Sequence, residues 1–254
     1  MERKHRRWLA AYGKENGWVY LAKTLFLLGC LMGSAAASGQ DTLRLWATYY
    51  YVPQLAHDST GMALLDAHEE PTGLALNGCD WCTAAIEGTV RVVKEGVPYL
   101  LTYAGRSDSL QHDCRLCDRL ANYGGFAATG RVLWQPDSGY GRGVRNWPLV
   151  PYKTLAVDPA IIPYGSVVYI AEAVGVAYQK ENGQWATHDG YFFAGDTGSA
   201  IQGNHIDVFL GTSSVSPFAF ITSTASGTFV AQIVTDTEKI ATLRALHGLS
   251  PTER

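Results

Sequence analysis

The sequence is poor in charge. Asp, Glu, Lys and Arg make up 17% of its 254 residues, while 47% are hydrophobic. That balance excludes a disordered chain, which combines low hydrophobicity with high net charge, and leaves enough apolar mass for a substantial core. Length and composition are compatible with one large or two small domains. Long hydrophobic runs are also missing: the greasiest stretch, residues 25–32, is far short of the ~20 residues that span a bilayer. Lys and Arg form no cluster beyond residue 37, which argues against a nucleic-acid partner, because phosphate neutralisation supplies most of that affinity. There is no repeat of solenoid period and no low-complexity tract. Cysteine is scarce as well, and four of the five cysteines fall in two C-x-x-C pairs.

What is present begins with an export signal. Six basic residues (Arg3, Lys4, Arg6, Arg7, Lys14, Lys23) precede the apolar run, and Gly33-Ser34-Ala35-Ala36-Ala37 follows it. A basic region, a short apolar core and small residues at a cleavage site predict a signal peptide over residues 1–37, cut after Ala37. An uncleaved N-terminal helix is the plainer alternative. Leu27-Leu28-Gly29-Cys30 also resembles a bacterial lipoprotein box, which would put a lipid anchor on Cys30. Loss of residues 1–37 removes six basic and two acidic residues and takes the formal net charge from −3 to −7. The expected mature protein is acidic, exported to the periplasm or cell envelope, and free of a transmembrane segment.

From residue 41 onward, short β-rich runs alternate with glycine and other turn residues. Strands are expected at 43–52, 89–93, 97–103, 131–134, 154–157, 166–170, 191–193, 206–210, 219–222 and 228–234, with a hairpin turn at Lys94-Glu95-Gly96. Many short strands at this spacing suggest a closed or nearly closed barrel. Ile240, Leu243 and Leu246 lie at helical spacing, so residues 237–254 read as a short C-terminal helix or tail. Residues 53–150 differ in texture and read as an insertion holding Cys79-Asp80-Trp81-Cys82 and Cys114-Arg115-Leu116-Cys117. In an exported protein these four predict two disulfides of open connectivity, with zinc and a redox-active pair as alternatives. No βαβ pattern surrounds either pair, which weakens the redox reading, and His112 nearby reads as a surface histidine.

The chemistry is concentrated at residues 154–211. Asp196 and Asp207 are separated by Gly198 and Gly203 and flanked by apolar strand residues. A strand, a glycine-rich turn and a second strand can bring both acids to one cleft. Paired carboxyls suit glycosidic cleavage, in which one must protonate the leaving oxygen while charge develops on the sugar. Taken singly, each Asp is equally a turn former. His205, two positions before Asp207, shares its strand face and reads as a packed or hydrogen-bonding residue. No metal-ligand motif accompanies these residues, and neither a metal nor a cofactor is expected.

Leu155-Ala156-Val157-Asp158-Pro159, Ile162-Pro163-Tyr164-Gly165, Gly195-Asp196-Thr197-Gly198-Ser199-Ala200-Ile201 and Gly203-Asn204-His205-Ile206-Asp207-Val208-Phe209 together resemble the bacterial three-aspartate (3D) domain family. That family includes the catalytic barrel of membrane-bound lytic transglycosylase A. Its three name-giving acids fall on Asp158, Asp196 and Asp207, and Ala47-Thr48-Tyr49-Tyr50 resembles its opening strand. The resemblance implies an all-β fold, a six-stranded double-psi β-barrel over residues 38–236 with the cysteine-containing insertion at about 53–150.

It further implies peptidoglycan glycan strands as partner and cleavage of the MurNAc-β-1,4-GlcNAc bond without water, leaving 1,6-anhydro ends. Asp207 would be the acid/base with Asp196 its neighbour. Asp158 would brace a loop or line the cleft, Thr48 and Tyr49 would edge it, and Gly198 and Gly203 would shape its turns. Large relatives build the other wall of the groove from a second domain, a part that only the insertion could play here. Trp46, Trp81, Trp134, Trp147 and Trp185 could stack on sugars, although packing is the commoner fate of tryptophan. Two readings compete. A single Asp196-Thr197-Gly198-Ser199 spells the local signature of aspartic proteases, which need two such aspartates, and a barrel of this kind can serve as a non-catalytic polysaccharide-binding module.

Overall fold

The protein's computed structural model describes residues 42–120 and 129–250. The expected export segment, residues 1–37 with Cys30, lies outside the described residues. Within them no helix is long and apolar enough to cross a membrane.

In chain order the elements are β1 (Thr42–Tyr50), β2 (Gln54–Ala56), β3 (Met62–Leu65), β4 (Pro71–Leu76), α1 (Gly78–Glu87), β5 (Thr89–Lys94), β6 (Val97–Arg106) and β7 (Val132–Pro136). Then come β8 (Thr154–Ala156), β9 (Val167–Ile170), β10 (Ala177–Gln179), β11 (Trp185–Thr187), β12 (Tyr191–Asp196), β13 (His205–Phe209), β14 (Phe229–Ile233) and α2 (Thr237–Leu246). Six strands close into a barrel in the order β1-β13-β8-β12-β9-β14, the all-β six-stranded architecture expected. The pairs β1·β13 and β8·β12 are parallel, so the chain must cross over between their members rather than turn back through a hairpin.

Alternation along the barrel strands decides where the chemistry can sit. Leu45 and Ala47 of β1, Leu155 of β8 and Ile206 and Val208 of β13 are buried in the barrel core with Phe192, Ala194 and Phe229. Because successive side chains point to opposite faces, Trp46, Thr48 and Tyr50 of β1 and His205, Asp207 and Phe209 of β13 face outward. The candidate site is therefore on the outside of the barrel wall.

The residues between β1 and β8 cover that wall. They form the sheet β2-β5-β6-β7, the hairpin β3-β4 and α1 around a core of their own that includes Leu64, Leu76, Trp81, Val90, Val92 and Trp134. The expected hairpin is β5-β6. Lys94 pairs with Val97, and the two loop residues Glu95 and Gly96 take φ of 53° and 79°, the left-handed pair that matches strand twist in a two-residue loop.

Helix α1, at the first C-x-x-C pair, was not anticipated. Asn77 caps it by accepting from the Asp80 N–H, and Gly88 ends it at φ 73°. Its Cys79 and Cys82, three apart and so on one face, bond to Cys117 and Cys114 respectively. Each disulfide joins one C-x-x-C pair to the other, so the four sulfurs form neither a zinc set nor a local redox dithiol.

One further departure has a physical cause. Residues 219–222, expected as a strand, form a turn in which Ile221 N bonds Phe218 O. Phe218 and Phe220 are both buried, which imitates strand alternation without a ladder. The C-terminal helix is present as α2, capped by Asp236 through the N–H groups of Glu238 and Lys239, and the residue after it, His247, packs against Phe193 of β12.

Candidate active site

The barrel register lays the acids out in a row. Asp207 on β13 pairs with Thr48 on β1 on one side and with Ala156 on β8 on the other, and Ala156 pairs in turn with Asp196 on β12. The order across the wall is Thr48, Asp207, Ala156, Asp196, with the two Asp backbones two strand spacings apart, or about 10 Å. The small side chain between them leaves an open floor. A register shift between Ala194 and Asp196 breaks the alternation of β12. Ala194 faces the core and Asp196 faces outward, a re-aiming for which bulges are used.

Both carboxyls line a cleft of about 430 Å³ between barrel and insertion. The barrel contributes Tyr50, Ala156 and the turn of Thr197, Gly198, Ser199, Ala200 and Ile201, and the insertion contributes Glu87, Arg106, Arg142 and Gly143. A Cβ on Gly143 would lie 2.2 Å from the Gly195 carbonyl oxygen, so only glycine allows this part of the insertion to press onto the bulge.

Burial and hydrogen bonding set the acids apart. Asp207 accepts from Thr48 Oγ1 at 2.8 Å. Desolvation, opposed by that bond and reinforced by the charge of Asp196, pushes its pKa up to about 7. Asp196 accepts from Tyr50 Oη at 2.6 Å and from the Thr197 N–H at 2.8 Å. Desolvation also raises it, and the two donors restrain the rise to about 6. Glu87, at the end of α1, accepts from the Tyr51 N–H at 3.0 Å, and desolvation pushes it to about 8. Burial thus pushes all three carboxyls up toward neutral pH, Asp196 least because two donors favour its charged form.

Asp158 stands apart from these three. Its Oδ2 accepts from the Gly203 N–H at 2.7 Å and its Oδ1 from the Ala160 N–H at 2.9 Å, and both bonds lower its pKa. It ties the loop after β8 to the turn before β13, where Gly203 has φ 62°. Tyr49 points away from Thr48 and donates to the Ser214 carbonyl, whereas its neighbour Tyr50 faces the acids.

His205 stacks on Trp46, with ring centroids 3.6 Å apart. Trp81 and Trp134 are buried in the insertion, Trp147 packs against Phe193, and Trp185 is exposed in a second depression lined by Tyr140 and Tyr178. No group of three or more potential metal ligands occurs among the described residues. Glu87 and Tyr50 were not singled out in the sequence. An Asn-to-Gly capped segment around α1 was the available signal for the first, and strand alternation from Thr48 was the signal for the second.

Residues 153–216 match the family model of the 3D domain. The matched segment runs from the start of β8 through β13 and carries Asp158, Asp196 and Asp207, the family to which the sequence pattern pointed. No curated protein matches the chain. Solved structures similar to it include E. coli MltA with bound chitohexaose, at 20% identity over 66% of this chain and 65% of that one (TM-score 0.43). A membrane-bound lytic murein transglycosylase from Agrobacterium tumefaciens is 16% identical over 76% of this chain and 75% of that one (TM-score 0.47). The lytic transglycosylase LtgG of Burkholderia pseudomallei is 17% identical over 76% and 71% (TM-score 0.37). The chain thus spans slightly less than two thirds of the E. coli structure.

Proposed function

We propose that the cleft cleaves the MurNAc-β-1,4-GlcNAc bond of peptidoglycan as a lytic transglycosylase, with Asp207 as acid and then base. The observation that carries this reading is a desolvated Asp207 with its pKa near 7 beside a second acid of lower pKa, both on the floor of one cleft. A pair whose environments separate their pKa values is the arrangement that assigns acid and counter-charge.

In the first step the Asp207 proton passes to the glycosidic oxygen and the bond from that oxygen to muramyl C1 breaks, leaving positive charge on the sugar. The Asp207 carboxylate then takes the proton of the muramyl 6-hydroxyl as O6 bonds to C1. The anhydro ring closes and the acid is restored without water. Asp196, whose charged form is favoured by the Tyr50 hydroxyl and the Thr197 N–H, stabilises the developing positive charge and disfavours early loss of the Asp207 proton. Asp158 acts through the Gly203 turn that leads into β13. The two disulfides suit an oxidising compartment, in keeping with export to the periplasm or cell envelope.

Incubation of the protein with purified peptidoglycan, followed by mass spectrometry of the soluble fragments, tests the reading. Fragments ending in 1,6-anhydro-MurNAc are expected. Reducing muramyl ends would indicate a hydrolase, and binding without release would indicate a polysaccharide-binding module.

A further inference from the structure

Thr48 has one hydroxyl proton and two neighbours able to accept it. Its Oγ1 lies 2.8 Å from Asp207 Oδ1 and 2.8 Å from His205 Nε2. Which neighbour receives the proton follows from the other end of the imidazole. His205 Nδ1 is 3.2 Å from the Ala200 carbonyl, and a carbonyl only accepts, so that bond places the ring proton on Nδ1. Burial favours the neutral ring, and a neutral imidazole protonated at Nδ1 presents Nε2 as an acceptor. Trp46, stacked within 5° of parallel, holds the ring in that orientation.

Proton accounting then separates the two states of Asp207. When Asp207 is protonated, it donates to Thr48, Thr48 donates to His205 and His205 donates to the Ala200 carbonyl, so each donor in the chain has an acceptor. When Asp207 is ionised, carboxylate and imidazole compete for the single Thr48 proton and one of them goes without. We propose that His205 is a positioning residue that, by engaging the Thr48 hydroxyl, keeps the acid of the cleft in its protonated form. This rests on Asp207 being that acid and deepens the function proposed above.

The groups that interact with Asp207 from the surrounding elements are Thr48 and Tyr50 of β1, Asp196 of β12 and Glu87 of α1, while the cations Arg106 and Arg142 line the same cleft. None of these competes with His205 for the same proton. The effect can be isolated at Thr48.

The test is the titration of the Asp207 carboxyl, followed by 13C NMR in the whole protein, a readout that needs no turnover. His205→Phe keeps a planar ring against Trp46 and removes the acceptor, which frees the Thr48 proton for the carboxylate. Hydrogen bonds to charged groups are strong enough to move a pKa by about one unit, so the midpoint should fall by roughly that amount. Thr48→Val removes the hydroxyl that links the two side chains, both as acceptor from the protonated acid and as donor to the carboxylate, and so supplies the background in which the coupling is read. In the Thr48→Val background, His205→Phe should do nothing further. His205→Gln, whose amide oxygen can accept from Thr48, should recover most of the shift.

An unchanged or raised midpoint in His205→Phe, or a shift that persists without Thr48, overturns the proposal. If the Phe variant fails to fold, His205→Leu, which also removes the acceptor from Thr48, decides by the same criterion. Absence of anhydro products from the unmutated protein, with these shifts intact, would instead reject the reaction and leave the proton chain standing.

Discussion

Asp207→Asn separates the chemistry of the acid from its effect on stability. The unfolded-state value of the carboxyl is 3.8, and burial raises it to about 7 in the fold. A raised carboxylate pKa means that the native state resists ionisation. Its stabilising preference for the proton is fully present below about pH 4 and is lost as pH rises through 7. At about 1.4 kcal/mol per unit, the shift corresponds to about 4 kcal/mol by pH 8, an upper figure because part of it is shared with Asp196. Asn removes the ionisation while retaining an oxygen that can accept from Thr48. Thermal or urea unfolding should therefore find Asp207→Asn more stable than the wild type at pH 8, by about 1–4 kcal/mol, with little gain at pH 4. Glycan cleavage should fall by at least about 10²- to 10⁴-fold, the usual share of a positioned acid/base. Equal stability changes at pH 4 and pH 8 would refute the desolvation argument, and near-normal release of anhydromuropeptides would refute the assignment of Asp207.

Tyr50→Phe removes the 2.6 Å bond to Asp196. Asp196 should then titrate above its present value of about 6, its negative charge beside Asp207 should be lost at neutral pH, and the alkaline limb of the pH–rate profile should move down. Replacing Cys82 and Cys114 together by Ser removes a staple that closes 32 residues. Because Cys79–Cys117 still closes the surrounding loop, the ring actually lost is a short one of about 8 residues, for which chain-entropy arguments give about 2–3 kcal/mol, and limited proteolysis should locate the loosening in the insertion. N-terminal sequencing of envelope-derived protein should find a start near Ser38, and a lipid-modified Cys30 would reject that cleavage site.

The barrel was legible because its signals are local. Short β-rich runs fell where β1, β8, β9, β12, β13 and β14 are found, and the outward side of β13 followed from alternation once Ile206 and Val208 were recognised as core. The three aspartates could be read for the same reason, since they occur within one glycine-punctuated stretch matched by one family model. The insertion was less legible. Its cysteines drew attention to pairing, while the cap at Asn77 and the stop at Gly88 that define α1 are ordinary residues, and connectivity among four cysteines has no local determinant.

Glu87 and Asp196 illustrate what a one-dimensional reading cannot supply. Glu87 ends a helix of the insertion, and its carboxyl reaches the cleft only because the insertion folds with that end of α1 at the cleft wall, where the Tyr51 N–H donates to it. Asp196 follows Ala194, a core residue, by two positions, so strict alternation would turn its carboxyl into the apolar interior. The register shift at Gly195 instead brings it outward opposite Ala156, and Gly143 can approach that bulge only because it lacks a side chain. The acid pair thus depends on three small residues, Ala156, Gly195 and Gly143, which carry no chemistry themselves. Ala156 keeps the floor open, Gly195 lies where the strand shifts, and Gly143 closes the wall that raises both carboxyl pKa values by excluding water. A bulkier residue at any of the three would disturb the site while every titratable group remained in place.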